Sequence, residues 1–311
     1  MTLIPAPILV NGATHSAQTF RMFVRDVSLG SEGITQGDDL KVTQLTTPGG
    51  GVQIGDGSGI VRGRANAFQG SYSPCNNGVA TVTIAPTAGT PRSDLVIIRI
   101  EDPEYEGTRN PAIDPIAYFQ VISNVSSSAT TIPDGRTGIP LARIDIPAST
   151  ATITDAMIKD VRKIANPRTE RRLLTNSPAS ASTGISGNAN TYSYFSTHAG
   201  FNIAIPSWAS TVRIRYDIGG LRLSSGLVQG DTSATFGASL SMQSVMLDDN
   251  QTGIRRITQL MADTLTIPAG YRGTTQLLRA RARVGASNAG VVQVDTSSML
   301  IADVQFEEAP R

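Results

Sequence analysis

The residues that could perform nucleophilic or acid–base chemistry are sparse in this sequence. It contains only two histidines, His15 and His198, and each lies in a stretch rich in Ser and Thr. A serine nucleophile needs a histidine base and a third group that orients this base, and no Gly-x-Ser-x-Gly motif lies between a predicted strand and helix. We therefore interpret both histidines as surface or capping residues, and we predict no catalytic residue and no enzymatic activity.

Four carboxylates lie close together in the segment 101–106, which reads Glu-Asp-Pro-Glu-Tyr-Glu. Clustered oxygen ligands can hold Ca²⁺, and paired carboxylates can act as an acid and a base. Pro103 and Gly107 instead indicate a loop at the end of a strand, where we expect the acids to be solvated. The alternative, a hydrolase, would place its acid–base chemistry at Glu104 or Glu106.

Three other features could suggest ligand chemistry. Gly55-Asp56-Gly57-Ser58-Gly59 looks like a phosphate loop, but the residues that follow it read as a strand, and phosphate binding needs a helix N-terminus there. We interpret this segment, and Asp248-Asp249-Asn250, as turns. Cys75 is the only cysteine, which excludes an intrachain disulfide and a cysteine zinc cage. The sequence predicts no metal site and no cofactor.

Five of the few aromatic residues lie close together in sequence: Tyr192, Tyr194, Phe195, Phe201 and Trp208. Exposed aromatic rings can stack on a sugar or anchor an interface, whereas buried ones fill a core. Tyr192, Tyr194 and Trp208 are our candidate binding residues. For Trp208, the only tryptophan, packing in or at the rim of the core is the competing interpretation.

The charge distribution restricts the partners. Residues 1–172 carry 16 basic and 16 acidic groups, and residues 173–311 carry 10 and 9. Without a basic stripe, nucleic-acid binding is not expected. No run approaches the 18 or so apolar residues that a membrane span requires, so we predict no membrane insertion. The opening segment has no basic region and contains two prolines, so it does not read as a signal peptide, and we expect synthesis in a reducing cytoplasm.

The composition favours strands joined by turns, because 30 Gly and 17 Pro accompany only 16% charged residues. One helix is predicted over 16–29, with Ser16 as its N-cap and an apolar stripe of Phe20, Phe23, Val24 and Val27. A second is predicted from Asp155, with an apolar face of Ile158, Val161, Ile164 and Ala165. Strands are predicted at 40–42, 52–54, 79–84, 94–100 (a central strand), 117–122 and 139–146.

The second half reads as all-β. Strict alternation at 201–205 and 212–216 predicts half-buried strands, and further strands are predicted at 191–195, 220–228, 234–245, 258–267, 276–284 and 291–306. The predicted fold is therefore mainly β, with two β-rich domains. The first is an antiparallel sheet or sandwich with two short helices, and the second is a β-sandwich or jelly roll of about eight strands.

The predicted domain organisation has three parts. Residues 1–13 form an extended apolar N-terminal arm, residues 14–172 form the first β-rich domain, and residues 173–311 form the C-terminal β-sandwich. The polar segment Arg168-Thr169-Glu170-Arg171-Arg172 marks the junction between the two domains.

Several stretches resemble minor tail proteins of siphophages that infect actinobacteria. In the first half these are 25–34 with Gly37-Asp38-Asp39-Leu40-Lys41-Val42-Thr43, Pro91-Arg92-Ser93-Asp94-Leu95-Val96 with 101–103, and Ile139-Pro140-Leu141-Ala142-Arg143-Ile144 with 158–162. Their order and spacing agree over most of residues 14–172. In the second half, a looser likeness covers Ile205-Pro206-Ser207-Trp208-Ala209, 271–276 and Asp303-Val304-Gln305-Phe306.

This resemblance implies a non-enzymatic structural protein of the virion at the tail tip or baseplate. The first domain would dock on other virion structural proteins, and the second would project outward for host attachment, with a host cell-envelope glycan as its partner. The resemblance also implies a homo-oligomer, with a homotrimer favoured. Two alternatives remain open: a capsid decoration or head-fibre protein, and a carbohydrate-binding adhesin.

Overall fold

The computed structural model describes residues 11–12, 14–187, 191–197, 199–287 and 289–311. All of the predicted N-terminal arm except Asn11 and Gly12 lies outside these residues, as does His198. The chain divides into two compact units: Met1–Pro167 together with Ala309–Arg311, and Arg168–Glu308. The second unit begins within the polar segment 168–172.

The described part of the first unit contains one α-helix, α1 (Ala17–Val27), and eleven strands in three antiparallel sheets. The strands are β1 (Gly33–Ile34), β2 (Val42–Gln44), β3 (Gly51–Ile54), β4 (Gly57–Arg62), β5 (Ser71–Tyr72), β6 (Cys75–Asn76), β7 (Ala80–Thr83), β8 (Arg92–Ile100), β9 (Ala117–Val125), β10 (Gly138–Ile146) and β11 (Ile158–Asp160). The sheet orders are β1-β4-β5 with β6 beside β4, β2-β3-β7, and β11-β10-β8-β9.

The core of the first unit is built on β8 and β10. Val96, Ile98 and Ile100 of β8 and Leu141 and Ile144 of β10 are buried in one apolar cluster. The nearly continuous apolar run of β8 predicted a central strand, and this prediction is confirmed because β8 lies between β10 and β9.

The predicted helix near the N-terminus is present as α1. The Ser16 side chain accepts a hydrogen bond from the Thr19 N–H, as expected of an N-cap, and Gly30 follows the helix with a φ of +70°. The apolar stripe of α1, however, points to solvent. The side chains of Phe20, Phe23 and Val27 are 49%, 43% and 60% exposed.

The prediction of a second helix from Asp155 is wrong. A single 3-10 turn, Asp155–Met157, leads directly into β11, which pairs with β10 through Ala142 and Asp160. The Arg162 side chain is fully buried and donates to the carbonyl oxygens of Asp39 and Arg311. The apolar spacing fits a helix. The backbone N–H and C=O groups along the edge of β10, however, need hydrogen-bond partners, and residues 158–160 supply them by pairing as a strand.

The described part of the second unit also contains eleven strands. They are β12 (Thr169–Asn176), β13 (Ser193–Tyr194), β14 (Gly200–Ala204), β15 (Thr211–Ser224), β16 (Val228–Phe236), β17 (Leu240–Ser241), β18 (Val245–Asp249), β19 (Arg255–Thr266), β20 (Thr275–Val284), β21 (Val291–Gln293) and β22 (Met299–Glu307), with a 3-10 turn at Ala269–Tyr271. Eight of them have five or more residues.

These strands form two antiparallel sheets that enclose one core. One sheet has the order β12-β22-β15-β19 with β21 beside β15, and the other is built on β20 and β16, flanked by β13, β14, β17 and β18. Tyr216 and Phe306 from the first sheet and Phe236 and Leu278 from the second belong to the same buried cluster. The mainly β class is therefore confirmed, and the second unit is a β-sandwich.

The strands predicted at 212–216 and 220–228 are joined in the structure. Both contribute to the single strand β15, which ends at Ser224, so that the last predicted residue, Val228, already belongs to β16. The register of β15 shifts between Ile218 and Leu221. Gly219 and Gly220 occupy this β-bulge, and Gly220 has a φ of +70°, which interrupts the alternation that the sequence showed. No helix in the described residues is long and apolar enough to cross a membrane.

Candidate binding surface on the second unit

The structure gives the candidate catalytic residues no partners for chemistry. The His15 ring packs edge-on against Phe20, with 5.9 Å between the ring centroids, and its Nδ1 atom is buried without a hydrogen bond in the described part of the chain. His198 lies outside the described residues. No group of three or more His, Cys, Asp or Glu side chains within the described ranges is arranged to hold a metal ion.

The acidic segment 101–106 was expected to be solvated, and this expectation is wrong for most of it. Asp102 is buried and accepts a hydrogen bond from the Tyr72 hydroxyl at 2.6 Å. Glu106 pairs with Arg99 at 3.1 Å, and Arg21 forms ion pairs with Asp102 and the exposed Glu104. At the end of β8, these acids form hydrogen bonds and ion pairs that connect the strand to α1 through Arg21 and to β5 through Tyr72.

Glu101 completes this network, and its environment is the opposite of what a general acid needs. It accepts hydrogen bonds from the Tyr118 hydroxyl at 2.8 Å and from Arg109 at 3.2 Å. The hydrogen bond from Tyr118, followed by the one from Arg109, holds the pKa of Glu101 below its usual value. A general acid at neutral pH requires a raised pKa instead.

The turn predicted at 55–59 is confined to Gly55 and Asp56, because residues 57–59 already belong to β4. A strand and not a helix follows these two residues, as predicted, so no helix N-terminus is available there for phosphate binding. The turn predicted at 248–250 is wrong for its first two residues: Asp248 and Asp249 are the last residues of β18, opposite Gln229 and Val228 of β16, and Asp249 pairs with Arg255. Cys75 is exposed on β6.

The five clustered aromatic residues fall into two groups. Phe195 and Phe201 are buried in the sandwich core. Trp208 packs partly buried against that core, in the turn between β14 and β15, with the Arg168 guanidinium 5.3 Å from its ring. Tyr192 and Tyr194 belong instead to the outer face of the β20 sheet, so two of the three candidate binding residues are brought together.

Three arginines that the sequence analysis missed join these tyrosines. Arg279, Arg281 and Arg283 alternate along β20 with the buried Ala280 and Ala282, so that all three lie on the outer face. We refer to Tyr192, Tyr194, Arg279, Arg281 and Arg283 as the arginine–tyrosine face. The signal for it was present in the sequence as Arg-Ala-Arg-Ala-Arg at 279–283, where three successive outer positions of the strand are cationic.

The guanidinium groups of this face stack on the tyrosine rings. The Arg279 Cζ atom is 3.6 Å from the centroid of the Tyr194 ring, and the Arg281 Cζ atom is 4.2 Å from that of Tyr192. The Arg283 Cζ atom lies 5.0 Å from the Tyr192 ring. Such contacts are favourable because the positive charge lies against the negative face of the ring, and they fix the guanidinium planes.

The neighbouring strand β16 contributes polar groups to the same face. Asp231 stands opposite Arg283 and pairs with it at 2.6 Å, and it also accepts a hydrogen bond from the Tyr192 hydroxyl. Thr235 stands opposite Arg279 and donates a hydrogen bond to the Tyr194 hydroxyl at 3.3 Å. The register of the sheet thus places one polar side chain of β16 beside each end of the arginine row.

The two tyrosines experience different electrostatic environments. Burial, together with its hydrogen bond to Asp231, raises the pKa of Tyr192. The hydrogen bond from Thr235 lowers the pKa of Tyr194, and the positive charges of Arg281 and Arg279 act in the same direction. The Tyr194 end of the face is therefore the more electropositive one.

Two of the three positive charges on this face have no carboxylate partner among the described residues. Arg283 pairs with Asp231, but no carboxylate in the described residues forms an ion pair with Arg279 or Arg281, and the Nε atom of each is buried without a hydrogen-bond partner. Among these three arginines, only Arg283 therefore has a carboxylate partner.

The other sheet of the sandwich provides an internal comparison, because arginines also alternate along β15. There Arg213 pairs with Glu307 at 3.1 Å and Arg215 pairs with Asp217 at 2.9 Å. Arginines at alternate positions of a strand are thus paired with carboxylates on β15, whereas on β20 only Arg283 has such a partner among the described residues.

The first unit carries a second candidate surface, which we call the apolar helix face and define as Phe20, Phe23 and Val27. Helix α1 is held to its unit by its polar side. Gln18 donates to the carbonyl oxygen of Phe68, Arg21 donates to that of Gln69, and Arg25 donates to that of Ala67. A surface helix normally buries its apolar stripe, so this inverted arrangement leaves an apolar surface of the kind that binds another protein.

Comparisons with known proteins do not assign this chain to a family. No protein-family model matches this chain, and no curated protein sequence matches it. Among solved structures, the VP2 subviral particle of infectious bursal disease virus is similar at 13% identity and a TM-score of 0.25, over 90% of this chain and 79% of that chain.

Two insecticidal proteins of Bacillus thuringiensis are also similar to this chain. The delta-endotoxin Cry8Ea1 has 10% identity and a TM-score of 0.26, over 87% of this chain and 54% of that chain. A Cry1Da tryptic core variant has 10% identity and a TM-score of 0.23, over 98% and 57%. With identities and TM-scores this low, these likenesses carry no argument about the function of the chain.

Proposed function

We propose that this chain is a non-enzymatic structural protein of a phage virion, a minor component of the tail tip or baseplate. Its first unit docks on other virion structural proteins, and its second unit is displayed for contact with the host surface. The sequence resemblance to minor tail proteins of siphophages supports the tail assignment, because it covers most of residues 14–172. The proposal includes a homo-oligomer, with a homotrimer as the favoured symmetry.

The observation that carries this proposal is the apolar helix face of α1. Three large apolar side chains on one stripe of the helix are between 43% and 60% exposed, while the polar stripe makes the contacts to the unit. Burying such a stripe against a neighbouring virion subunit would remove apolar surface from water, which is the main driving force of permanent assemblies. The occupant that we propose for this face is therefore a neighbouring structural protein of the tail.

Two alternatives have specific support. A capsid decoration or head-fibre protein would use the same docking face, and it differs from the proposal only in its place in the particle. A carbohydrate-binding adhesin is favoured by the arginine–tyrosine face, which lies on the second unit and stacks cations on aromatic rings.

The test is immunogold electron microscopy of intact particles of the phage that encodes the chain. We expect the label at the distal end of the tail. Label over the head would replace the tail assignment by a decoration protein. Absence of label, with an antibody shown to bind the native protein, would overturn the virion role.

A further inference from the structure

We propose that the arginine–tyrosine face binds an acidic polysaccharide of the bacterial envelope. This inference rests on the proposed role of the second unit in host contact, and it names the site and the chemical class of its ligand. The site consists of the unpaired Arg279 and Arg281, the paired Arg283, and the tyrosines on which they stack.

The first argument is the cost of the uncompensated charge. Like charges at neighbouring positions on one sheet face repel each other and destabilise the sheet. On β15 this cost is removed because Arg213 and Arg215 each have a carboxylate partner. On β20 only Arg283 has one. A row of cations that the fold itself does not neutralise is expected where an external anion supplies the missing charge.

The second argument is preorganisation. A guanidinium group stacked on an aromatic ring keeps its N–H groups directed outward in its own plane, where they match the two oxygens of a carboxylate or phosphate. Arg279 on Tyr194 and Arg281 on Tyr192 are fixed in this way, with Cζ-to-centroid distances of 3.6 and 4.2 Å. Binding would therefore require little ordering of these long side chains.

The third argument concerns the shape of the ligand. Alternate residues of a strand are about 6.6 Å apart, so the three arginines form a linear row that suits a polymer with repeated acidic groups better than it suits a single ion. A shallow groove continues from Arg283 and is lined by Asp231, Ser244 and the exposed Met246. Polar groups interspersed with apolar ones are suited to the hydroxyl groups and carbon faces of a sugar chain.

The nearly balanced charge of the second unit favours an acidic polysaccharide over a nucleic acid as the ligand. The second unit, residues 168–308, carries 12 basic and 10 acidic groups, so it has no extended positive field that would attract the densely charged phosphate backbone of nucleic acid. A short local row of cations is sufficient for the sparser acidic groups of an envelope polysaccharide.

The test measures the retardation of the full chain in native gels that contain carboxymethyl-dextran, with unmodified dextran as the neutral probe. We expect wild type to be retarded by carboxymethyl-dextran alone. For the variant R279Q/R281Q, the apparent Kd should rise about tenfold or more, because two charge-assisted contacts are lost. The matched control R213Q/R215Q removes the same charge from exposed, already paired arginines and should bind as wild type does.

A second variant covers the case in which R279Q/R281Q does not fold, as judged by thermal melting. R279K/R281K keeps both charges but loses the planar stacked groups, and we expect its binding to be severalfold weaker than that of wild type. Wild-type binding by R279K/R281K, or equal losses in R279Q/R281Q and R213Q/R215Q, would overturn the site.

Three other results would also overturn the inference: no retardation of wild type by carboxymethyl-dextran, equal retardation by dextran, or tighter binding of duplex DNA that depends on Arg279 and Arg281. None of these affects the proposed virion role. Tail labelling of particles that carry R279Q/R281Q reports on that role independently, because it does not require polysaccharide binding.

Discussion

Arg279 stacks on Tyr194, with its guanidinium carbon 3.6 Å from the ring centroid. This contact holds a cation on the outer face of the β20 sheet without a carboxylate partner. Arg213, at an equivalent alternating position on β15, is instead neutralised by Glu307. The two sheets of one sandwich thus use the same strand pattern differently. On β15 both Arg213 and Arg215 have a carboxylate partner, whereas on β20 only Arg283 has one among the described residues.

The buried hydroxyl of Tyr216 should contribute measurably to the stability of the second unit. Tyr216 is fully buried in β15, and its hydroxyl donates a hydrogen bond to the carbonyl oxygen of Ala199 at 3.0 Å. Tyr216→Phe leaves this carbonyl without its donor, and it should lower the free energy of unfolding by about 1–2 kcal/mol. Urea unfolding of the full chain measures the change. An unchanged free energy of unfolding in Tyr216→Phe would contradict this role of the hydroxyl.

Gly33 should tolerate no side chain. Its φ is +139°, and a Cβ atom there would lie 2.0 Å from the carbonyl oxygen of Lys163, which accepts a hydrogen bond from the Ile34 N–H at 2.7 Å. Gly33→Ala should therefore destabilise the first unit by far more than the roughly 1–2 kcal/mol that left-handed backbone alone costs.

Gly135 provides the matched control for this steric effect. It also has a positive φ, +70°, but an added Cβ atom meets nothing within 4 Å. Gly135→Ala should show the conformational cost alone. Equal thermal melting temperatures for the two variants would show that the close approach of Lys163 to Gly33 is not limiting.

The ion pair between Asp249 and Arg255 predicts acid sensitivity. The hydrogen bond from Arg255, followed by that from the Gln251 N–H, lowers the pKa of Asp249 in the folded state. The stabilisation is thus fully present above the unfolded pKa of about 3.9, and it is lost as the pH falls through the lowered folded value. Asp249→Asn should reduce the melting temperature at pH 7, and the difference from wild type should vanish in strong acid. A difference that is constant with pH would contradict the pairing.

Local sequence signals predicted much of the architecture. Ser16 and Gly30 bracket α1 because the capping chemistry of a helix end depends on residues adjacent in sequence. The apolar run of β8 indicated a central strand because its residues are buried on both faces. The helix expected after Asp155 was wrong because the decisive partner, the edge of β10, is remote in sequence.

The two candidate surfaces depend on relationships that composition does not reveal. The total charge of the second half is nearly balanced, and it therefore concealed a local row of arginines on β20. Amphipathicity identified α1, but only the contacts of Arg21 and Arg25 show that its polar side faces inward. Tyr192 and Tyr194 were selected as candidates because they lie close together in sequence; the cations that stack on them come from residues 279–283, which are far away in sequence.

The most direct measurement of the central claim is the incorporation of α1 variants into phage particles. F23S/V27S removes most of the apolar helix face, while V79S/I113S makes the same kind of change at other exposed sites of the first unit. We expect F23S/V27S to melt at the wild-type temperature in isolation, yet to be reduced about tenfold in purified particles, since central apolar contacts dominate binding energy. V79S/I113S should be incorporated normally. Normal incorporation of F23S/V27S would contradict docking through this face.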